Sequence, residues 1–182
     1  MPRRQPPVRT WPKRWLMTDE RMGAALWSAL RALPRGSGVI VRHDTLDRAA
    51  RLRLALKVGS IAKRRGLVLG VAGDVGLARL IGAELVHRPA GACGLMPRSF
   101  PVHDESEARL ARRISADLVL VSPIFPTSSH PDGQALGSAE AKRLARIAGT
   151  TAIALGGMNE WRWHALGRPF HGYAGIDCWI RT

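Results

Sequence analysis

Two segments of the chain run an apolar stretch straight into a loop of small and polar residues, and they constrain its fold more than any other feature. Ala116 to Gly137, ADLVLVSPIFPTSSHPDGQALG, carries a strand into hydroxyls, prolines and glycines. Thr151 to Asn159, TAIALGGMN, repeats the pattern and ends its strand on two glycines. A strand apolar on both faces must be covered on both, which points to a parallel sheet wrapped by helices. Small-residue loops at the carboxyl ends of such strands are where α/β proteins build their ligand sites.

The same alternation extends along the rest of the chain. Trp15 to Met17 reads as a strand, with Asp19 as N-cap of a helix reaching Leu33, and Pro34 to Gly38 as a break. Val39 to Val41 precedes a long Arg-rich helix from Asp44 to Arg65; Leu67 to Val71 precedes a short helix led by Asp74 and ending at Leu80. Leu85 to His87 is a fourth strand, and Pro89 to Pro97, broken by glycines and prolines, reads as loop. Ser99 to Val102 feeds a helix from Asp104 to Ile114, whose Asp104 and Glu107 fit an acidic capping box. Leu118 to Ser122, a helix from Ala139 to Ala148, Ala152 to Leu155, a helix from Glu160 to Leu166, and Gly172 to Ile176 complete the series.

Eight such units predict a compact (β/α)8 TIM barrel of the α/β class. With 182 residues some helices must be trimmed, above all the one between the fourth and fifth strands. An open doubly wound sheet is the alternative, but no GxGxxG turn follows the first strand. One barrel domain is expected over residues 14–182, behind a basic, Pro-rich tail over residues 1–13 that stays mobile unless Trp11 docks.

The net charge of +14 raises the question of nucleic acid. The basic residues are spread over every helix, for example Arg48, Arg53, Lys63, Arg109, Lys142 and Arg146, with no binding motif among them. They read as a solvated surface that attracts anionic small molecules, not as a specific nucleic-acid footprint. No apolar run approaches the roughly 20 residues that span a bilayer, so no membrane partner is expected. The charged amino terminus lacks the order of a secretory signal, and cytoplasm is the expected compartment. Cys93 and Cys178 make neither a CxxC pair nor a zinc-ligand cluster. Trp161 and Trp163, flanking Arg162, suggest packing against the barrel or self-association, and hence a possible homo-oligomer.

The sequence also resembles a known family. Leu16-Met17-Thr18-Asp19, Val102-His103, Ser122 through Pro131, Leu136-Gly137 and Ala154 through Met158 are similar, in order and spacing, to thiamine phosphate synthase and its sister, the thiazole tautomerase. The resemblance spans Trp15 to Trp179 and is most specific in the loop after the sixth strand. It implies a barrel whose top face joins a hydroxymethylpyrimidine diphosphate to a thiazole phosphate with release of pyrophosphate, a transferase reaction of thiamine biosynthesis. Mg²⁺, Lys and Arg would neutralise the leaving diphosphate.

Carried over residue by residue, the family pattern is partly altered. Arg42 is retained, while the family's Lys two positions on is Asp44. The family's Asn-Asp after the third strand is Gly73-Asp74, and its second metal carboxylate is absent from Val86 to Ala92. Thr127, Ser128 and Ser129 keep the hydroxyls of the sixth-strand loop, His130 stands for a Lys, and Asp177 for a small hydroxyl residue. Of the tautomerase's two histidines, His103 matches one and Pro123 occupies the other position, leaving His130 or His87 as substitutes. The candidate catalytic residues are thus Arg42, His103 and His130. Thr127, Ser128, Ser129, Gly156 and Gly157 are candidate phosphate ligands, and Asp74 the candidate Mg²⁺ ligand. Each has a plainer role: Asp74 as a helix cap, Arg42 paired with Asp44, His103 at a helix start, Gly156-Gly157 as a tight turn. A relative that binds a phosphorylated ligand without catalysis, in a regulatory role, is the alternative to the synthase.

Overall fold

The computed structural model of the chain describes residues 10–127 and 134–180. Eight parallel strands close in sequence order: β1 (Arg14–Met17), β2 (Gly38–Val41), β3 (Val68–Ala72), β4 (Leu85–His87), β5 (Arg98–Val102), β6 (Leu118–Val121), β7 (Thr151–Ala154) and β8 (Phe170–Gly175). Pairing of Trp15 with Ala174 joins β1 to β8 and leaves the sheet without an edge. The helices are α1 (Ala25–Ala32), α2 (Arg48–Arg65), α3 (Val75–Leu80), α4 (Glu105–Arg113), α5 (Gly137–Ala148) and α6 (Glu160–Leu166). Residues 88–97 pass from β4 to β5 without a helix, the trimming that the chain length demands.

Side chains alternate across each strand, and the alternation sorts the core into an inside and an outside. Leu118, Leu120 and Ile153 turn inward and join the cluster that includes Trp15, Met17, Ile40 and Leu85. Their neighbours Val119, Val121, Ala152 and Ala154 turn outward beneath Ala108, Ala111, Ala141 and Leu144 of α4 and α5. The largest inward residue sits against the smallest: a Cβ on Gly38 would lie 2.1 Å from the Trp15 ring. That ring is fully buried and donates its Nε1–H to Pro12 O at 2.8 Å, so it has nowhere to go.

Element ends differ from the sequence reading where a local cap overrides the periodicity. Asp19 does cap a helical turn, but only the 3₁₀ turn Glu20–Met22; Gly23, at φ 47°, ends it and α1 starts afresh at Ala25. The second helix begins at Arg48, not Asp44, because Asp47 accepts from Ala50 N at 2.9 Å and takes the N-cap. Trp11 is buried, and His171 Nε2 donates to its carbonyl at 2.7 Å, so the barrel's packing starts ahead of Arg14. Trp163 packs on Tyr173 with ring centroids 5.8 Å apart, whereas Trp161 is exposed. No helix among the described residues is long and apolar enough to cross a membrane.

Gly38→Ala is expected to destabilise the barrel by about 1–3 kcal/mol, the usual cost of overpacking a close-packed core. Urea unfolding would read it, and an unchanged midpoint would show that the Trp15 ring yields after all.

Candidate active site at the carboxyl rim of the barrel

One more step of the inward alternation brings a set of side chains to the carboxyl rim. Met17, Arg42, Ala72, His87, His103, Ser122, Leu155 and Ile176 line an open cavity of about 1140 Å³. The chemistry of the cavity is therefore chosen by strand register.

Arg42 is held at the end of β2. Its N–H donates to Thr18 Oγ1 at 3.0 Å, and Thr18 Oγ1 lies 3.0 Å from Nδ1 of the buried His43. The acid nearest its guanidinium is Asp19, with Oδ2 at 3.7 Å, rather than Asp44. Burial raises the Asp19 carboxyl, but hydrogen bonds from Arg21 and the charges of Arg21 and Arg42 outweigh it and hold the pKa below the usual value. Asp44 instead accepts from Arg51 Nη2 at 2.8 Å, and the same nitrogen reaches Ala72 O at 2.7 Å. The Arg42–Asp44 pair that the sequence left open as an alternative is thus replaced by two separate ones, Arg42 with Asp19 and Arg51 with Asp44.

His87, at the end of β4, is set opposite Ser99 by the register and lies 3.0 Å from its Oγ through Nδ1. Burial, then the positive charges of Arg42, Arg88 and His103, push its pKa down to about 3, so the ring is neutral in the physiological range. His103 also lines the cavity but stands half-exposed at the rim. Glu107 Oε2 accepts from His103 N at 2.7 Å and lies 2.8 Å from Nδ1. The capping box takes a shifted form: Asp104 accepts from Glu107 N at 2.9 Å, while Glu107 reaches one residue further back than the motif requires.

Across the cavity, Gly156 and Gly157 hold φ values of 89° and 59°. A Cβ on Gly156 would lie 2.6 Å from Pro123 Cα, and one on Gly157 2.6 Å from Pro126 O, so the two loops approach as closely as backbone allows. Arg162 donates to Gly157 O and stacks over the Phe125 ring at 4.8 Å. The start of α6 is already served, since Asn159 Oδ1 accepts from Arg162 N at 2.8 Å. On this side the groups that face the cavity are the glycine backbone and Arg162. Thr127 lines the cavity, while Ser128, Ser129 and His130 lie outside the described residues.

Asp74 does not line this cavity but borders an adjoining pocket that shares Gly73 and Ala90 with it. Its Oδ1 accepts from Leu77 N at 2.8 Å as the N-cap of α3, and Arg51 and Arg79 line the adjoining pocket with it. Mg²⁺ needs oxygen ligands, usually with one or two carboxylates. Among the described residues no three His, Cys, Asp or Glu side chains converge to hold a metal, and the end of β4 offers His87 and Arg88 in place of a carboxylate. The described residues do not fit a Mg²⁺ site. Arg88 and Arg162, both on the cavity wall, escaped the sequence reading. Arg162 stood on a helix read only for its tryptophans, and the φ of 47° that turns Arg88 has no sequence signature.

Residues 99–175 match the family model described as thiamine monophosphate synthase. The chain is 25% identical to the Aquifex aeolicus protein named "Putative thiamine-phosphate synthase 2", over 93% of its own length and 98% of that protein. It is 32% identical to a thiamine-phosphate synthase of Listeria monocytogenes, over 60% and 58%. A similar solved structure is the thiamine phosphate pyrophosphorylase from Pyrococcus furiosus, with a TM-score of 0.74 and 17% identity over 91% of this chain and 85% of that one. At that identity the structural likeness shows the fold.

Asp74→Ala is expected to cost about 1 kcal/mol of stability, as loss of an N-cap does, and to leave the affinity for Mg²⁺ unchanged by titration calorimetry. His87 gives a pH signature. Its folded pKa lies near 3 and its unfolded pKa near 6.5, so as pH falls below 6.5 the unfolded chain binds a proton that the fold refuses. Stability is therefore lost on acidification. The wild-type advantage over His87→Gln should shrink by about 2 kcal/mol between about pH 7 and pH 5 in urea melts.

Proposed function

Because the chain belongs to the thiamine phosphate synthase superfamily, we propose that it acts in thiamine biosynthesis by the synthase reaction on two phosphorylated heterocycles. In that reaction the bond between the pyrimidine methylene carbon and the diphosphate oxygen breaks, and pyrophosphate leaves with the electron pair. The lone pair of the thiazole ring nitrogen then forms the new C–N bond, giving thiamine phosphate. No proton need move in this step. Catalysis is stabilisation of separating charge in a water-poor slot.

The observation that carries this reading is a cavity with two anion-seeking ends and an apolar middle. Arg42, with Arg88 and the neutral His87, forms one end; the Gly156–Gly157 backbone with Arg162 forms the other. Met17, Pro101, Leu155 and Ile176 lie on the wall with them, suited to planar rings. A diphosphate at the first end and a monophosphate at the second would present the two rings to each other. Thr127, with the hydroxyls of Ser128 and Ser129 and with His130 in the same loop, would complete the phosphate contacts. Arg42 would hold the departing diphosphate through its planar fork.

The His103–Glu107 pair favours a second reading. A histidine oriented through Nδ1 by a carboxylate at 2.8 Å has its other nitrogen available for proton exchange, as a thiazole tautomerase needs.

Incubation of the purified protein with both substrates should yield thiamine phosphate and pyrophosphate in equal amounts. Arg42→Ala should lower kcat/KM by about 100-fold, and Gly156→Ala should abolish turnover through its clash with Pro123. Proton exchange of the thiazole alone, lost in His103→Ala, with no coupled product, would replace the synthase by the tautomerase. Neither activity, with ligand binding intact, would leave a binding protein.

A further inference from the structure

Strand alternation assigns His87 to the cavity and should send Arg88, its neighbour, to the outside. The backbone prevents it. Arg88 adopts φ 47°, in the left-handed region that a side-chain-bearing residue seldom occupies, and it lines the cavity with His87, whose ring its charge reaches. The turn is fastened on both sides: Arg88 N donates to Ser99 O at 2.7 Å and Ala90 N to Gly73 O at 2.9 Å. Arg88 forms no ion pair with any described residue. A non-glycine residue held in this region at a cavity wall, with its charge within reach of the His87 ring, points to a role there.

The hydrogen bond of His87 adds a second donor. Ser99 is fully buried, and the ring nitrogen Nδ1 is the partner its hydroxyl has. A buried O–H must donate, so Nδ1 accepts and the ring proton sits on Nε2. Arg42, His87 and Arg88 thus converge from β2 and β4 as donors. Where a metal-bridged diphosphate site needs carboxylates, the end of β4 supplies an imidazole N–H and a guanidinium. The cavity-lining acids are Asp44, engaged by Arg51, and Asp177 beyond β8.

We propose that this corner binds a diphosphate directly and without a divalent metal, through the guanidinium groups of Arg42 and Arg88 and the Nε2–H of His87. Two guanidinium groups take the place of the metal charge, and the neutral imidazole donates without needing a proton from solution. The proposal rests on the synthase reading for the identity of the anion alone.

The test is titration calorimetry of the full chain with inorganic pyrophosphate, in excess EDTA and in Mg²⁺. The proposal expects binding in EDTA with an affinity within about threefold of that in Mg²⁺. Arg88→Gly is the diagnostic variant, because glycine accepts the left-handed backbone: its thermal stability should equal or exceed wild type while pyrophosphate affinity falls about 10-fold. Ser99→Ala frees the His87 tautomer and should weaken pyrophosphate severalfold, with the loss of the Nε2–H form visible in the imidazole ¹⁵N spectrum. Binding that appears only with Mg²⁺, absence of binding in either buffer, or an Arg88→Gly variant with wild-type affinity would each overturn the proposal. Pyrophosphate binding in EDTA by a protein that makes no thiamine phosphate would sustain it while removing the synthase reading.

Discussion

Everything at the rim of this barrel depends on the two-residue alternation of its strands, locked by closure of β1 on β8. A slip of one residue in any strand would exchange inside for outside and replace Arg42, His87 or His103 with a neighbour meant for the helical layer. The tolerance for such a slip is small, because the interior is fitted by contrast of size: the Trp15 ring lies over Gly38, and Ile40 lies 3.1 Å from where a Cβ on Gly70 would stand. Packing at the bottom of the barrel therefore fixes chemistry at the top. The glycines that admit bulky partners are as much part of the site's precision as the residues that line it.

The electrostatics of the rim follow from where its acids are spent. Asp19 is bound to Arg21, Asp44 to Arg51, Asp74 to the start of α3 and Glu107 to His103. Each is committed to a local structural task. The guanidinium groups facing the cavity are less compensated, and burial of His87 under their field keeps that ring neutral. The +14 excess of the chain adds a general attraction for anions to these local charges. Distribution matters as well as the total: Glu105, Arg109, Glu140 and Arg143 on α4 and α5 pair among themselves, while Arg42, Arg88 and Arg162 stand on the cavity wall.

The order of elements, the barrel and the absence of a helix between β4 and β5 were legible in the sequence, because apolar runs and Gly/Pro breaks report local structure directly. Helix starts were less so. Several side chains cap in this chain, and periodicity alone does not decide whether Asp44 or Asp47 begins α2, or that Gly23 interrupts the first helix. For the site, alternation placed Arg42 and His103 at the rim and the double glycine opposite. Pairing was not legible: Asp44 stands two residues from Arg42, yet pairs with Arg51, one helical turn into α2, because Arg51 is anchored on Ala72 O. Sequence proximity gave the wrong partner where a tertiary hydrogen bond chose the right one.

The trimmed crossover and the altered charge set share one origin. In a full βα unit the residue after the strand enters a loop and then a helix whose start presents N–H groups to an anion. Between β4 and β5 there is no helix, and residues 88–97 must return to β5 by a tight path. That path begins with a reversal at Arg88, clamped between Ser99 O and Gly73 O, and the reversal puts a guanidinium where a helix start or a metal-binding carboxylate would otherwise face the ligand. The connection thus offers no helix start to an anion, and its strained first residue brings a guanidinium to the cavity wall instead.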